Sequence, residues 1–476
     1  MRKLLHSLGD PHTRYDIIHI AGTKGKGTTA SLICGGLSAC GIPTGLVTSP
    51  HLLRLEERIQ FDGRNCTPNE LVALTNEVAQ AADAVDAGGA GRATFFELTT
   101  AMGLLYFAHC QASAVVLEVG LGGRLDSTNV CSPIVSVICS ISLDHQAQLG
   151  DTIEAIAREK AGIIKPQTPV VCAARDPQAV AAITEIATSQ AAPLLLIGRD
   201  YCVDWAPLHV SEESQTRLDS RSTLRVEDSA PLAESDKLQT RLGEPCDNKN
   251  ADTRLGEPCD SRDPCDANAL VTYGHETQRP SGDNSLQGRW RTRLLGRHQA
   301  DNLAAALCTL ELLRGRGWSL PQDKLRQALA SIQPLARLQI VDRSPLSIID
   351  SAHNPASIAA ALQTLDDHFP NQNLTVVFAA SRDKDWMQML TLLWKRASRL
   401  ILTAYRENPR ALPIDELYGA AQQLVATDGR AGCSIESAEH PSAAWNLARS
   451  AASNNDVILA TGSFFLAAEI MAKLEA

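Results

Sequence analysis

One stretch constrains this chain more than any other: Gly22-Thr23-Lys24-Gly25-Lys26-Gly27-Thr28, which follows the apolar run Ile17-Ile18-His19-Ile20-Ala21. The apolar run reads as a buried strand. Thr29-Ala30-Ser31-Leu32-Ile33-Cys34, just beyond, reads as the opening turns of a helix. Strand, glycine-rich turn, Lys, Thr and helix together describe a phosphate-binding loop. The glycines let backbone N–H groups close around phosphate oxygens, and the helix N-terminus adds partial positive charge. Lys26 would reach the β- and γ-phosphates, and the Thr28 hydroxyl would ligate Mg²⁺. The spacing departs from G-x-x-x-x-G-K-[ST], because Gly27 separates Lys26 from Thr28 and only Thr23 and Lys24 lie between Gly22 and Gly25. The loop implies a nucleoside triphosphate and leaves the reaction open.

The rest of the chain must supply a sheet to carry that loop. Residues 1–200 alternate short apolar runs with amphipathic segments, the pattern of a parallel α/β sheet. Strands are expected at 16–21, 44–48, 114–119, 134–140 and 169–173, and helices at 28–40, 68–83, 96–110, 151–161 and 177–189. From about 205 to 288 the texture changes. Ser, Asp, Glu, Arg and Pro dominate, and the octapeptide Thr-Arg-Leu-Gly-Glu-Pro-Cys-Asp occurs at 240–247 and again at 253–260. Positions 201–290 hold 17 acidic and 10 basic residues, so this stretch supplies most of the net charge of −10. Such composition buries too little apolar surface to fix a fold, and a mobile, disordered insertion is expected over 205–288. A helix at 300–315 follows, then a second α/β pattern with strands at 346–350, 374–380, 399–404 and 456–461. The domain boundary is placed near Pro334, giving domains 1–334 and 335–476.

Composition excludes several classes. A chain of 476 residues with 44% hydrophobic and 21% charged residues can bury the core of two ordinary domains. The net charge of −10 argues against a nucleic-acid binder, and means that an anionic substrate is held by local cations. No membrane-spanning run and no signal-peptide core is found, so a cytoplasmic protein is expected; a monomer is expected as well. Among the 13 cysteines, Cys34, Cys139, Cys172 and Cys308 lie in apolar runs and read as buried thiols.

Polar groups recur at the C-terminal ends of the expected strands, where open α/β sheets gather ligands. Ser49-Pro50-His51 follows the second strand, although a plain Ser-Pro turn explains it equally well. Glu118 ends the third strand, before Gly120-Leu121-Gly122-Gly123-Arg124-Leu125-Asp126-Ser127. A buried, unpaired carboxylate there costs several kcal/mol, of the order of ~3–5. A metal ion or a salt bridge to Arg124 would relieve it. Asp144-His145 ends the next strand, and His145 reads as a metal ligand or as a hydrogen-bonded core histidine. Lys160, read alone, is a solvated helix charge. In the second half, Asp350 and His353 sit between a strand and a helix start, and Arg337 near the boundary can bring positive charge to a phosphate.

The ordered set Gly22–Thr28, Ser49-Pro50-His51, Thr94-Phe95-Phe96-Glu97, Glu118–Asp126, Leu143-Asp144-His145, Glu159-Lys160-Ala161-Gly162, His298-Gln299-x-x-Asn302 and Asp350–Pro355 resembles the folylpolyglutamate synthase/dihydrofolate synthase family. That family belongs to the Mur-ligase-like, ATP-dependent carboxylate–amine ligases. The resemblance covers nearly all the chain except 205–288, where members have a small β-structure. It implies an α/β fold of two domains: a P-loop parallel-sheet domain carrying ATP and pterin sites, and a smaller Rossmann-like glutamate-ligase domain. The implied reaction phosphorylates a carboxylate of dihydropteroate or tetrahydrofolate with ATP and Mg²⁺, and L-glutamate then displaces phosphate. By resemblance Gly22, Thr23, Lys24, Gly25, Lys26, Gly27, Thr28, Asn302, Arg337 and Asp350 contact ATP. Thr28, Ser49, Glu118 and His145 ligate metal, and Lys160 carries a carbamate. Thr94, Phe95, Phe96, Glu97, Leu125, Asp126 and Ser127 bind the pterin, while Lys26, Lys160, Asp350 and His353 are catalytic. The short stretch before the loop is where members carry a longer segment that helps hold the pterin. Two other readings are a Mur-like ligase acting on another carboxylate and a phosphate-loop nucleotide switch. The switch would leave Asp350 and His353 unexplained.

Overall fold

The computed structural model describes all residues except 90, 209–267, 276–284, 407, 429–431, 454 and 476. The apolar runs of the first half form one eight-stranded sheet. Its strands are β1 (Asp16–Ala21), β2 (Thr44–Val47), β3 (Ile59–Phe61), β4 (Arg64–Asn65), β5 (Ala114–Glu118), β6 (Val135–Ile138), β7 (Val170–Cys172) and β8 (Leu194–Leu196). The order is β4-β3-β2-β5-β1-β6-β7-β8. All neighbours are parallel except the β2–β3 and β3–β4 pairs. β1 is therefore central, flanked by β5 and β6, and the glycine loop leaves the middle of the sheet at its C-terminal edge. Apolar runs without alternation are what a strand covered on both faces requires.

One face of the sheet, through Ile18, Ile20, Val116 and Val137, packs against Leu32, Ile33 and Leu37 of the helix Lys26–Ala39 and against Leu303, Leu307 and Leu310 of the helix Arg297–Gly315. The other face, through Ile17, Val47, Val115 and Leu117, meets Leu74 and Val78 of the helix Pro68–Ala87 and Met102 and Leu105 of the helix Phe95–His109. Ile156, Ala157, Ala179 and Ile183 from two further helices cover the β6–β7 side.

The composition-based reading of 205–288 is wrong at its edges. β9 (Cys202–Pro207), β10 (Ala269–Gly274) and β11 (Gly288–Thr292) form an antiparallel sheet in the order β11-β10-β9. Val271, Tyr273 and Trp290 are fully buried and share the core of the helix Arg297–Gly315. The period-2 alternation of Ala269-Leu270-Val271-Thr272-Tyr273 carries that burial, and averaging over a polar window hid it. The octapeptide repeats lie outside the described residues.

The C-terminal part forms a second sheet from β12 (Gln339–Arg343), β13 (Leu346–Ile349), β14 (Asn373–Phe378), β15 (Arg399–Leu402), β16 (Ser434–Ser437) and β17 (Asp456–Thr461). Its order is β12-β13-β17-β14-β15-β16, parallel except for β12. The fold is thus α/β, with an N-terminal parallel-sheet domain and a C-terminal sheet domain. Cys34, Cys139, Cys172 and Cys308 are buried, as their apolar contexts predict. Among the described residues no helix is long and apolar enough to cross a membrane.

Candidate active site

The loop after β1 is shaped by what surrounds its glycines. Gly25 is the N-cap of the helix Lys26–Ala39 with φ +86°, and a Cβ there would collide with the Asn302 side-chain oxygen. Asn302 is itself held by an Nδ2 bond of 2.7 Å to Gln299 Oε1. The helix has no side-chain cap, and the first amide bonded back to the loop is Thr29, to Gly25 O at 2.9 Å. The amides that precede Thr29 at a helix start have no intrahelical acceptor, which leaves them for an anion. The other end of the loop is stapled to the segment after β6: Thr23 N donates to Ser140 O (2.7 Å), and Lys24 Nζ lies 3.5 Å from Asp144. Burial lowers the Lys24 pKa, with Asp144 opposing.

Glu118 ends β5 and is buried, 4% exposed. Arg124 does not relieve it, because Arg124 pairs with Glu159 at 2.9 Å. Glu118 Oε2 instead accepts the Ser49 N–H at 3.1 Å. Burial pushes its pKa up, opposed by the charge of Lys26 and more weakly by Arg337 and Arg58. Thr28, Ser49, Glu118 and Arg337 line one cavity of about 660 Å³. The structure thus gathers three of the four expected metal ligands. His145 lies apart from that lining, on the loop after β6, half exposed and in a left-handed conformation (φ +52°) beside Asp144.

Lys160 is not a solvated charge. It is 4% exposed, and its Nζ donates to Gly22 O at 3.0 Å. Burial and then the charge of Lys26 bring its pKa down to about 7. This amine, at the end of the helix Ile153–Ala161, therefore faces the phosphate loop from beneath.

From the second sheet, Asp350 follows β13 and accepts the backbone N–H groups of Leu338 and Ala352, each at 2.9 Å. Ala336 and Leu338, on either side of Arg337, both take φ +49°. The Asp350 carboxylate thereby fixes the turn that presents Arg337, whose guanidinium lies 5.2 Å from the Phe464 ring centre. His353 Nδ1 lies 3.0 Å from Ser351 O, so that nitrogen carries the proton and Nε2 keeps its lone pair. Burial brings the pKa of His353 down to about 4.

A second cavity, about 710 Å³, is lined by Thr94, Phe96, Glu97, Leu121 to Ser127 and Lys165 among others. Phe96 packs on Gly120, where a Cβ would strike the ring. Thr94 and Glu97 form a reciprocal capping box at the start of the helix Phe95–His109. Phe95, 59% exposed, lies outside the lining and carries Arg58 at 5.6 Å from its ring centre. Sequence reasoning missed Phe464 and Lys165. Phe464 directly follows the strand-end pair Gly462-Ser463, which was the available signal.

Residues 20–227 match the Mur ligase middle domain, and residues 336–464 match the Mur ligase glutamate ligase domain. The dihydrofolate synthase/folylpolyglutamate synthase of Bacillus subtilis is 30% identical, over 100% of this chain and 94% of its own length. The folylpolyglutamate synthase of Lacticaseibacillus casei is 32% identical, covering 98% and 92%. Among solved structures, Mycobacterium tuberculosis folylpolyglutamate synthase complexed with ADP and AMPPCP superposes with a TM-score of 0.76 at 27% identity, covering 100% of this chain and 94% of that one. Escherichia coli FolC in complex with DHPP and ADP gives 0.73 at 25% identity, covering 99% and 92%.

Proposed function

The chain belongs to the folylpolyglutamate synthase/dihydrofolate synthase family, and we propose that it uses ATP to couple L-glutamate to the carboxylate of dihydropteroate, of a tetrahydrofolate, or of both. The observation that carries this reading is the cavity in which Thr28, Ser49 and Glu118 of the phosphate-loop domain meet Arg337. Phosphoryl transfer is mostly a matter of positioning and charge neutralisation, and that cavity brings a helix N-terminus and a cation to one place.

The acceptor carboxylate attacks the γ-phosphorus, forming a C–O–P bond as ADP leaves. The amine of glutamate then attacks the acyl carbon, phosphate departs and an amide forms. Loop amides and Lys26 hold the phosphates, and Arg337 offsets the charge that builds during transfer. Thr28, Ser49 and Glu118 fit Mg²⁺, which would neutralise phosphate charge: Glu118 is a buried carboxylate with a single Ser49 N–H directed at it among the described residues. Asp350 holds the Arg337 turn, and the His353 Nε2 lone pair can accept a hydrogen bond from the incoming amine. The low pKa of Lys160 supports its modification, since only a neutral amine adds CO₂, losing one proton as the carbamate forms. The cavity under Phe96 and Asp126 suits a flat heterocycle. We place the domain boundary near Pro334 and the protein in the cytoplasm as a monomer.

The test is phosphate release from ATP with Mg²⁺ and glutamate, comparing dihydropteroate, tetrahydrofolate and no acceptor. Stimulation by either folate is expected, and Lys26→Ala should reduce it by at least about 10²-fold while the protein stays folded. Phosphate release indifferent to both acceptors would favour a Mur-like ligase of another carboxylate.

A further inference from the structure

Beneath the loop that lines the second cavity runs a chain of buried polar groups that the reaction scheme does not use. His19 projects from the centre of β1 and is 0% exposed, between Ile18 and Ile20 on the opposite face. Its Nε2 lies 2.8 Å from Thr128 Oγ1, and its Nδ1 lies 3.5 Å from Cys131 Sγ. Thr128, also 0% exposed, donates through Oγ1 to Asp126 Oδ1 at 2.6 Å. Asp126 in turn accepts the N–H groups of Thr128 (2.9 Å), Gly120 (3.1 Å) and Leu121 (3.0 Å).

Donor counting fixes the direction of every bond in this chain. A carboxylate only accepts, so the single Thr128 hydroxyl proton goes to Asp126. Thr128 Oγ1 must then accept from His19, which places the ring proton on Nε2. Nδ1 is left as an acceptor, and the Cys131 thiol donates to it. Burial, with the charge of Lys165 behind it, holds the ring neutral by bringing its pKa down to about 3.

We propose that His19, Thr128 and Cys131 are positioning residues for the acceptor, acting through Asp126 to set the loop from Gly120 to Ser127. None of the three lines the cavity, whereas Gly122 to Ser127 do. The chain also starts on the strand that ends, two residues later, at the phosphate loop. One rigid strand therefore sets the register of both the phosphate cradle and the acceptor loop. An aliphatic residue would fill the site at position 19 and would leave the Thr128 hydroxyl without a donor. A buried imidazole is worth its desolvation only when both nitrogens are engaged, as they are here.

This inference rests on the reading that the Phe96–Asp126 cavity takes the acceptor. Steady-state kinetics of Thr128→Val and His19→Phe should show the acceptor KM raised about tenfold, the size expected for one lost buried hydrogen bond, with the KM for ATP changed less than about twofold. His19→Gln, whose side-chain amide can still donate to Thr128, should recover most of the acceptor KM. If ATP and acceptor constants shift together, or neither shifts, the positioning role is wrong. The nitrogen chemical shifts of ¹⁵N-histidine-labelled protein test the chain without turnover. A neutral ring protonated at Nε2, absent from the spectrum of His19→Gln, is expected. A ring protonated at Nδ1 overturns the relay even if dihydropteroate proves not to be the acceptor.

Discussion

Single residues here owe their chemistry to burial. Lys160 reads in the sequence as one more charge at a helix end, yet it lies under the phosphate loop with an ammonium pKa brought down to about 7. The sign follows directly: below pH 7 the amine is protonated and cannot add CO₂, and above it the neutral form prevails. With ¹³C-bicarbonate, a carbamate carbon resonance is expected at pH 8, weakened at pH 6 and missing in Lys160→Ala. A signal unchanged between the two pH values would detach it from Lys160. Glu118 was legible as a strand-end carboxylate, because an acid closing a run of four apolar residues has few structural reasons to be there. Which of its two possible partners it takes was not legible, since Arg124 is drawn to Glu159 only after the helix Ile153–Ala161 docks.

At the level of elements, local sequence was reliable wherever a strand is covered on both faces. The run at 16–21 folds as Asp16–Ala21 and the run at 456–461 as Asp456–Thr461. Half-covered and edge strands escaped, as with β10 inside a polar window and β16, whose Ser434-Ile435-Glu436-Ser437 carries one apolar residue. Trp290 shows that the small antiparallel sheet belongs to the main core. Its ring is 1% exposed, and its Nε1 donates to Leu286 O at 3.0 Å. Trp290→Ala should cost about 3–5 kcal/mol in urea unfolding, as large-to-small core changes do, and a loss below about 1 kcal/mol would make the sheet peripheral. The glycine turn is equally specific. Gly25→Ala meets both a left-handed backbone angle and the Asn302 side chain, so nucleotide affinity measured by calorimetry should fall about tenfold or more. Unchanged affinity would mean that the loop rearranges without cost.

Across the whole molecule, the N-terminal sheet domain presents the phosphate loop and Glu118, and the C-terminal one presents Arg337 and Phe464 to the same cavity. Neither sheet holds the cavity alone. Arg337→Ala should therefore lower turnover by about 10²-fold, the scale of one lost charge-stabilising group, while the melting temperature stays within a few degrees. A variant with full turnover would place Arg337 outside the reaction. The sequence by itself determined the strand–loop–helix unit, the α/β alternation of both halves and the order of the strand-end motifs, because these depend on neighbours only a few residues apart. Only the tertiary structure decided that Lys160 lies under Gly22, that Arg124 serves Glu159, that Asp350 holds the turn of Arg337, and that His19 reaches the loop from Gly120 to Ser127 through Thr128. Those contacts join residues 12 to 138 positions apart, and the pairing and docking of strands and helices, which no local periodicity encodes, choose among the partners available to a buried polar group.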